Sequence, residues 1–243
     1  MKDHLQDIIS HTSALGFIDL VKITGTDKET KINAIAEDRN VILEAQFKNP
    51  HSDFIGLFGM PNLSKLRTIL GFQDYAENAK ISMTRETRNG ETIPTSIHFE
   101  TATADFINDY RLMSQALVEE RVKPVKFAGA TWNVSFEPTK DNIQRLKRQA
   151  SANSEEILFT TKTDNGNIRV YFGDVSTHSG NFIFAPSVAG TLNRAWSWPV
   201  KQFLGIMDLI GDKRVHISDQ GAMQITVDSG LIDYVYLLPA QQR

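Results

Sequence analysis

An element order that occurs twice restricts this chain more than any other feature of its sequence. In the first half, Leu5, Ile8, Ile9, Thr12 and Leu15 recur at helical spacing and predict a helix near residues 3–15. The stretches "FIDLVKIT" and "KINAIAEDRNVILEAQF" read as paired strands. A short helix over 62–70 follows in "GMPNLSKLRTILGF". Pro61 suits its first turn, where a missing N–H costs nothing, and Gly71 suits its stop. Leu63, Leu66, Ile69 and Leu70 form its apolar face, and a hairpin turning at Asn89-Gly90 comes next.

The second half repeats the pattern. A helix opens in "EPTKDNIQRLKRQAS", with Thr139 as N-cap, Asp141 in the first turn and Ile143, Leu146 and Ala150 inward. A hairpin turns at Asn165-Gly166. The helix of "SWPVKQFLGIMDLIG" follows, with Ser197 as cap, Pro199 as opener and Gly211 as stop. Val200, Phe203, Leu204, Met207 and Ile210 face inward. The last strands turn at Gln220-Gly221 and Ser229-Gly230. This implies an internal duplication of structure with little residue identity. The expected class is α+β, two duplicated domains of two helices packed on antiparallel sheet. Residues 1–112 and 129–243 form the domains. Residues 113–128, without clear periodicity, form a crossing connector.

Composition removes several classes of function. The chain has 243 residues, enough for two domains of about 120. It has no cysteine, so disulfides, thiolate metal sites and cysteine nucleophiles are excluded. Mean hydropathy is −0.27, and no run approaches the ~18 apolar residues that a membrane span needs. Asp3 and Asp7 interrupt any N-terminal signal core, so a cytoplasmic location is expected. Net charge is −3, which permits a basic stripe on an acidic body but not a uniformly basic binder. No P-loop, G-x-S-x-G, H-E-x-x-H or EF-hand pattern occurs, and the histidines are scattered. Asp174, Ser176, Thr177 and His178 cluster in one loop, but sequence neighbours seldom converge as a triad. No enzyme activity, metal or cofactor is expected. Trp196 and Trp198 read as core and helix-anchoring residues.

The polar faces of three helices share one chemistry. On the helix after Thr139, Gln144, Arg145 and Arg148 lie opposite the apolar stripe, with Lys140 and Lys147 flanking it. The helix after Pro199 turns Lys201 and Gln202 outward, with Asp208 at the edge. The helix after Pro61 turns Ser64, Lys65 and Thr68 outward, with Arg67 beside its stripe. Such surfaces suit a phosphate backbone held without regard to sequence. Ordinary solvation is the alternative. The first helix departs, with Asp3, Gln6, Asp7 and Ser10 on its outer face.

This order of elements resembles the sliding clamps, the DNA polymerase processivity factors, most of all the two-domain clamps of tailed bacteriophages. The segments "FIGLFGMPNLSKLRTILGF" and "YRLMSQALVEERVKPVKFAGATWNVSFEPTKDNIQRL" and the ending "YVYLLPA" carry the likeness. The connector is less proline-rich than that of the phage clamps. The resemblance implies a DNA-clamp fold closed into a homotrimeric ring around double-stranded DNA, with sheets outside and helices lining the hole. Lys65, Arg67, Lys140, Arg145, Lys147, Arg148 and Lys201 would then meet phosphates. It also implies an ATP-dependent clamp loader, a polymerase C-terminal peptide as ligand and transcription factors as further partners. The peptide's pocket would draw on Leu117, Val118, Val122, Tyr236, Leu238 and Pro239, for which ordinary core packing is the alternative. A rival reading is a phage tail or baseplate component built from duplicated β-rich domains. Another is a hydrolase using the loop from Asp174 to His178.

Overall fold

The computed structural model describes every residue except 89, 124–128, 175, 177 and 243. The chain divides into two compact units. The first comprises residues 1–125 with 229–234, and the second 126–228 with 235–243.

The first unit contains α1 (Lys2–Ser10), β1 (Leu20–Gly25), β2 (Thr30–Ile35), β3 (Ile42–Phe47), β4 (Gly56–Pro61) and α2 (Leu63–Leu70). Then follow β5 (Lys80–Arg88), β6 (Glu91–Glu100), β7 (Ile107–Arg111) and α3 (Gln115–Arg121). Strands β4-β1-β2-β3 are antiparallel neighbours in that order, with Ile23 opposite both Ile32 and Phe58. Strand alternation puts Val21, Ile23, Ile32, Ala34, Leu43 and Phe58 into the core, as a period of two requires. Helices α1 and α2 touch, and Leu5, Ile8, Leu63, Leu66 and Ile69 are buried. Strands β5-β6-β7 make a second sheet, with Ile97, Phe99 and Tyr110 inside.

The second unit contains β8 (Val134–Phe136), α4 (Lys140–Ala152), β9 (Leu158–Asp164), β10 (Asn167–Gly173) and β11 (Ser179–Ala185). Then come β12 (Trp196–Pro199), α5 (Val200–Met207), β13 (Asp212–Ser218), β14 (Ala222–Asp228) and β15 (Ile232–Pro239), of which residues 232–234 count with the first unit. Its sheet order β11-β10-β9-β12 mirrors β3-β2-β1-β4 of the first unit. Helix, four strands, helix, three strands is therefore the order from α1 to β7 and again from α4 to β15. The core is aromatic. Phe159 meets Phe203 edge-on at 4.9 Å between ring centres, and Trp198 is fully buried with its Nε1 donating to Thr161 Oγ1 at 2.8 Å. The turn at Asn165-Gly166 takes positive φ at both residues, 49° and 74°, the geometry that twists with a two-residue hairpin. Asn89 of the first expected turn lies outside the described residues, but Arg88 and Glu91 are paired on either side of it.

Several expected boundaries move. Helix α1 stops at Ser10, where Thr12 Oγ1 donates to Ile8 O at 2.6 Å, and a 3-10 turn over Ser13–Leu15 follows. Pro61 does not open α2 but ends β4. Asn62, at φ 52°, makes the corner, and Asp19 accepts the first helical N–H groups, from Leu63 at its carbonyl and Ser64 at its carboxylate. Pro199 likewise closes β12, and Ser197 bonds Thr160 Oγ1 at 2.9 Å instead of capping α5. Helix α5 ends at Met207, so Ile210 lies beyond it and is 86% exposed rather than inward. Gln202, expected outside, is buried. Residues 115–121, read as aperiodic connector, form α3. Val118 of that helix packs on Gly59 of β4 so closely that an added Cβ would lie 2.8 Å from a Val118 methyl.

Candidate nucleic-acid interface

Helix α4 carries the densest charge. Thr139 is its N-cap and accepts from the Asn142 N–H at 3.2 Å. This sets the rotation that buries Leu146 and leaves Lys140, Gln144, Arg145 and Arg148 exposed. Arg148 folds back, donating from Nε to Gln144 O at 3.3 Å. Lys147 is half-buried and pairs with Asp208, the residue that ends α5, at 2.5 Å. On α5, Lys201 is exposed. On α2 of the first unit, Lys65 and Arg67 are exposed with Ser64 and Thr68. Among the described residues, Lys65, Arg67, Lys140, Arg145 and Lys201 take part in no ion pair. Each unit thus presents free cations on the polar face of a helix, α2 in the first unit and α4 and α5 in the second. Two of the seven expected residues belong to the first unit and five to the second.

The acids of α1 are not equivalent. Asp3 is exposed, whereas Asp7 points away from the outer face and its side chain is only 12% exposed. Its Oδ2 accepts from Ser229 Oγ at 2.9 Å and Tyr234 OH at 2.8 Å. Asp7 therefore ties α1 to the turn that precedes β15 and to the start of β15 itself. Lys2 is likewise engaged, donating to Tyr75 O and Ala76 O at 2.7 and 2.8 Å. Tyr110 OH donates to Pro61 O and anchors β7 under the start of α2. Burial, with Asp19 nearby, holds its phenol protonated.

The expected pocket residues fall in both units. Leu117, Val118 and Val122 belong to α3 and its end. Tyr236, Leu238 and Pro239 belong to β15 in the second unit. Val118, Val122, Tyr236 and Leu238 are buried, while Leu117 is 54% exposed and Pro239 is exposed.

Residues set aside in the sequence have structural partners. Asp174 accepts from Ser176 N and Oγ at 2.9 and 3.0 Å; Thr177 lies outside the described residues. Ser135 Oγ and His216 Nδ1 are 2.6 Å apart. Burial, then the Arg214 charge, lowers the His216 pKa and favours the neutral ring. Trp196 stacks beneath Arg194, its ring centre 3.7 Å from the guanidinium carbon. Among the described residues no cluster of three or more histidines and acids could hold a metal, and no helix is long and apolar enough to cross a membrane.

This twofold arrangement has counterparts among solved structures. PCNA of A. fulgidus, determined with the C-terminal region of FEN-1 bound, superposes with a TM-score of 0.71 over 100% of this chain and 96% of its own, at 10% identity. The fold is that of a sliding clamp. PCNA of Thermococcus kodakaraensis superposes with a TM-score of 0.68 over 98% of this chain and 97% of its own, again at 10% identity. Neither a protein-family model nor a curated protein sequence matches the chain. The clamp fold was thus reached by a sequence that shares its pattern of elements and almost none of its residues.

Proposed function

We propose that this chain is a DNA sliding clamp that encircles duplex DNA and tethers a replicative polymerase. The observation that carries this reading is the clamp fold over the whole chain, combined with exposed, unpaired cations on the helices of both repeats. A phosphate backbone held through such charges is bound without sequence preference. The action is topological rather than catalytic. A ring cannot leave a duplex sideways, and a tethered polymerase rebinds at high effective concentration.

Ring closure needs edges that can pair. Strand β7, with Ile107 half exposed, and strand β11 each lie at the end of their sheet. Pairing them between copies would bury both and give a homotrimer of six clamp domains, 1–112 and 129–243 in each copy. Leu117, exposed on α3 of the first unit, and Pro239, exposed at the end of β15 in the second, are the candidate contacts for a polymerase C-terminal peptide; Val118, Val122, Tyr236 and Leu238 are buried within their own units. With no nucleotide-binding motif of its own, the clamp would be opened by an ATP-dependent loader. It would act in the cytoplasm, that of the host if phage-encoded, where transcription factors could share the peptide surface. The comparisons lend the tail or baseplate alternative no support.

Native mass spectrometry and polymerase extension test this reading. A species of about three times 27.3 kDa is expected. Replacing Arg145, Lys147 and Arg148 together with Ala should keep that mass and reduce retention on end-blocked DNA equally for unrelated sequences. A monomer at tens of micromolar, or unchanged retention at every salt concentration, refutes it.

A further inference from the structure

Between α4 and the turn after α5 lies a groove of about 510 Å³, lined on α4 by Lys140, Ile143, Gln144 and Lys147. Three lysines line it: Lys140, Lys147 and Lys213. They are not equally available. Lys213 Nζ donates to Leu209 O and Gly211 O, so it neutralises the carbonyls that follow α5. Lys147 is held by Asp208 at 2.5 Å. Lys140 alone of the three has no partner among the described residues. The Asp208 backbone N–H donates to Leu204 O at 3.0 Å, which fixes this residue at the helix end with its carboxylate half exposed.

From this geometry we infer that Asp208 is a built-in competitor of DNA phosphate for Lys147 and keeps the grip of α4 on the backbone weak. The inference rests on the proposed DNA-facing role of α4. A carboxylate and a phosphate oxygen offer an ammonium group the same contact. The carboxylate, however, is on the same chain, so it meets Lys147 at high effective concentration. A phosphate that enters the groove must displace Asp208 and meets its negative charge. Lys147 would therefore pass between Asp208 and successive phosphates. That suits a surface that must attract DNA yet never lock onto one register. Arg145 and Arg148 provide the uncontested attraction on the same helix.

The test uses the full-length chain and a short fluorescent duplex of arbitrary sequence, followed by anisotropy over a series of NaCl concentrations. Asp208→Asn should bind about two- to fivefold tighter, the range that releasing an exposed ion pair gives. Its log–log salt slope should steepen by up to about 0.9, the value for one added phosphate contact. Lys147→Ala should weaken the Asp208→Asn protein more than it weakens wild type, erasing the gain. Asp208→Ser serves the same purpose if the Asn variant melts early. Wild-type affinity in the Asp208 variants overturns the inference. So does a gain that survives Lys147→Ala, because the acid would then act only through its general field. Arg145→Ala with Arg148→Ala separates the two levels. If that pair weakens binding while Asp208→Asn changes nothing, the competitor falls and the DNA face stands. If the pair also changes nothing, both fall.

Discussion

Replacing Asp7 should destabilise the first unit rather than alter a DNA surface. In Asp7→Ala, Ser229 Oγ and Tyr234 OH lose the carboxylate oxygen they share at 2.9 and 2.8 Å. A hydrogen bond to a charged acceptor contributes about 1.5–3 kcal/mol, so two give about 3–6 kcal/mol. The lower end applies here, because the side chain is 12% exposed and water can reach part of the gap. A loss of about 3 kcal/mol corresponds to a melting-temperature drop of roughly 6–12 °C for a chain of this size. Asp7→Asn keeps one acceptor oxygen and should lose only about 1 kcal/mol. Tyr234→Phe should lose about 1.5 kcal/mol by itself and much less once Asp7 is already Ala, because the bond is then gone. Urea unfolding and thermal melts of these variants and the double mutant measure all four quantities. Asp7→Ala within about 0.5 kcal/mol of wild type, or full additivity with Tyr234→Phe, would refute the assignment of Asp7 as the anchor between α1 and the last hairpin.

Thr139→Ala removes the side-chain cap of α4 and should cost about 1 kcal/mol in urea unfolding. Gly59→Ala forces a Cβ within 2.8 Å of a Val118 methyl and 3.0 Å of Met113 Cβ. It should cost about 1–3 kcal/mol and speed proteolysis near α3; adding Val118→Ala should recover part of the loss, and no recovery would show the clash is relieved elsewhere. His4 stacks on Phe47 and meets His51 edge-on, and burial, followed for His4 by the His51 charge, lowers both pKa values from 6.5. The unfolded chain therefore binds more protons, so their stabilisation is complete above pH 6.5 and is lost as pH falls below it toward the folded pKa values. Unfolding free energy against pH should slope less in this window for His4→Phe with His51→Phe than for wild type.

Much of the fold is legible in the sequence because it depends on local periodicity. Leu5, Ile8 and Ile9, then Leu63, Leu66 and Ile69, recur at helical spacing, and all are buried. Asn165-Gly166 makes its turn because that pair tolerates positive φ at both positions. Thr139 caps α4 through a bond only three residues long. The prolines misled for an identifiable reason. Pro61 and Pro199 fit a first helical turn equally well as the last residue of an edge strand, where an N–H is not needed either. Helix α3 was hidden because its burial is narrow: Val118 packs on Gly59 while Leu117 stays exposed, so no stripe marks it.

The charged residues divide along the same line. The sequence by itself determined the duplicated order of helices and strands and which helix faces are cationic. Periods of 3.6 and 2 and turn chemistry are set by residues a few positions apart. Which charges remain free was decided only by the tertiary structure. Asp7 and Tyr234 are remote in the chain, and so are Lys147 and Asp208, yet each pair meets at hydrogen-bond distance. On a helical wheel Asp7 belongs to an outer face and Lys147 to an open cationic one. In the folded chain the first is an internal anchor and the second already holds a carboxylate. A charge interacts with whatever lies within a few ångströms of it, and for these residues the fold, not the neighbouring sequence, supplies that partner.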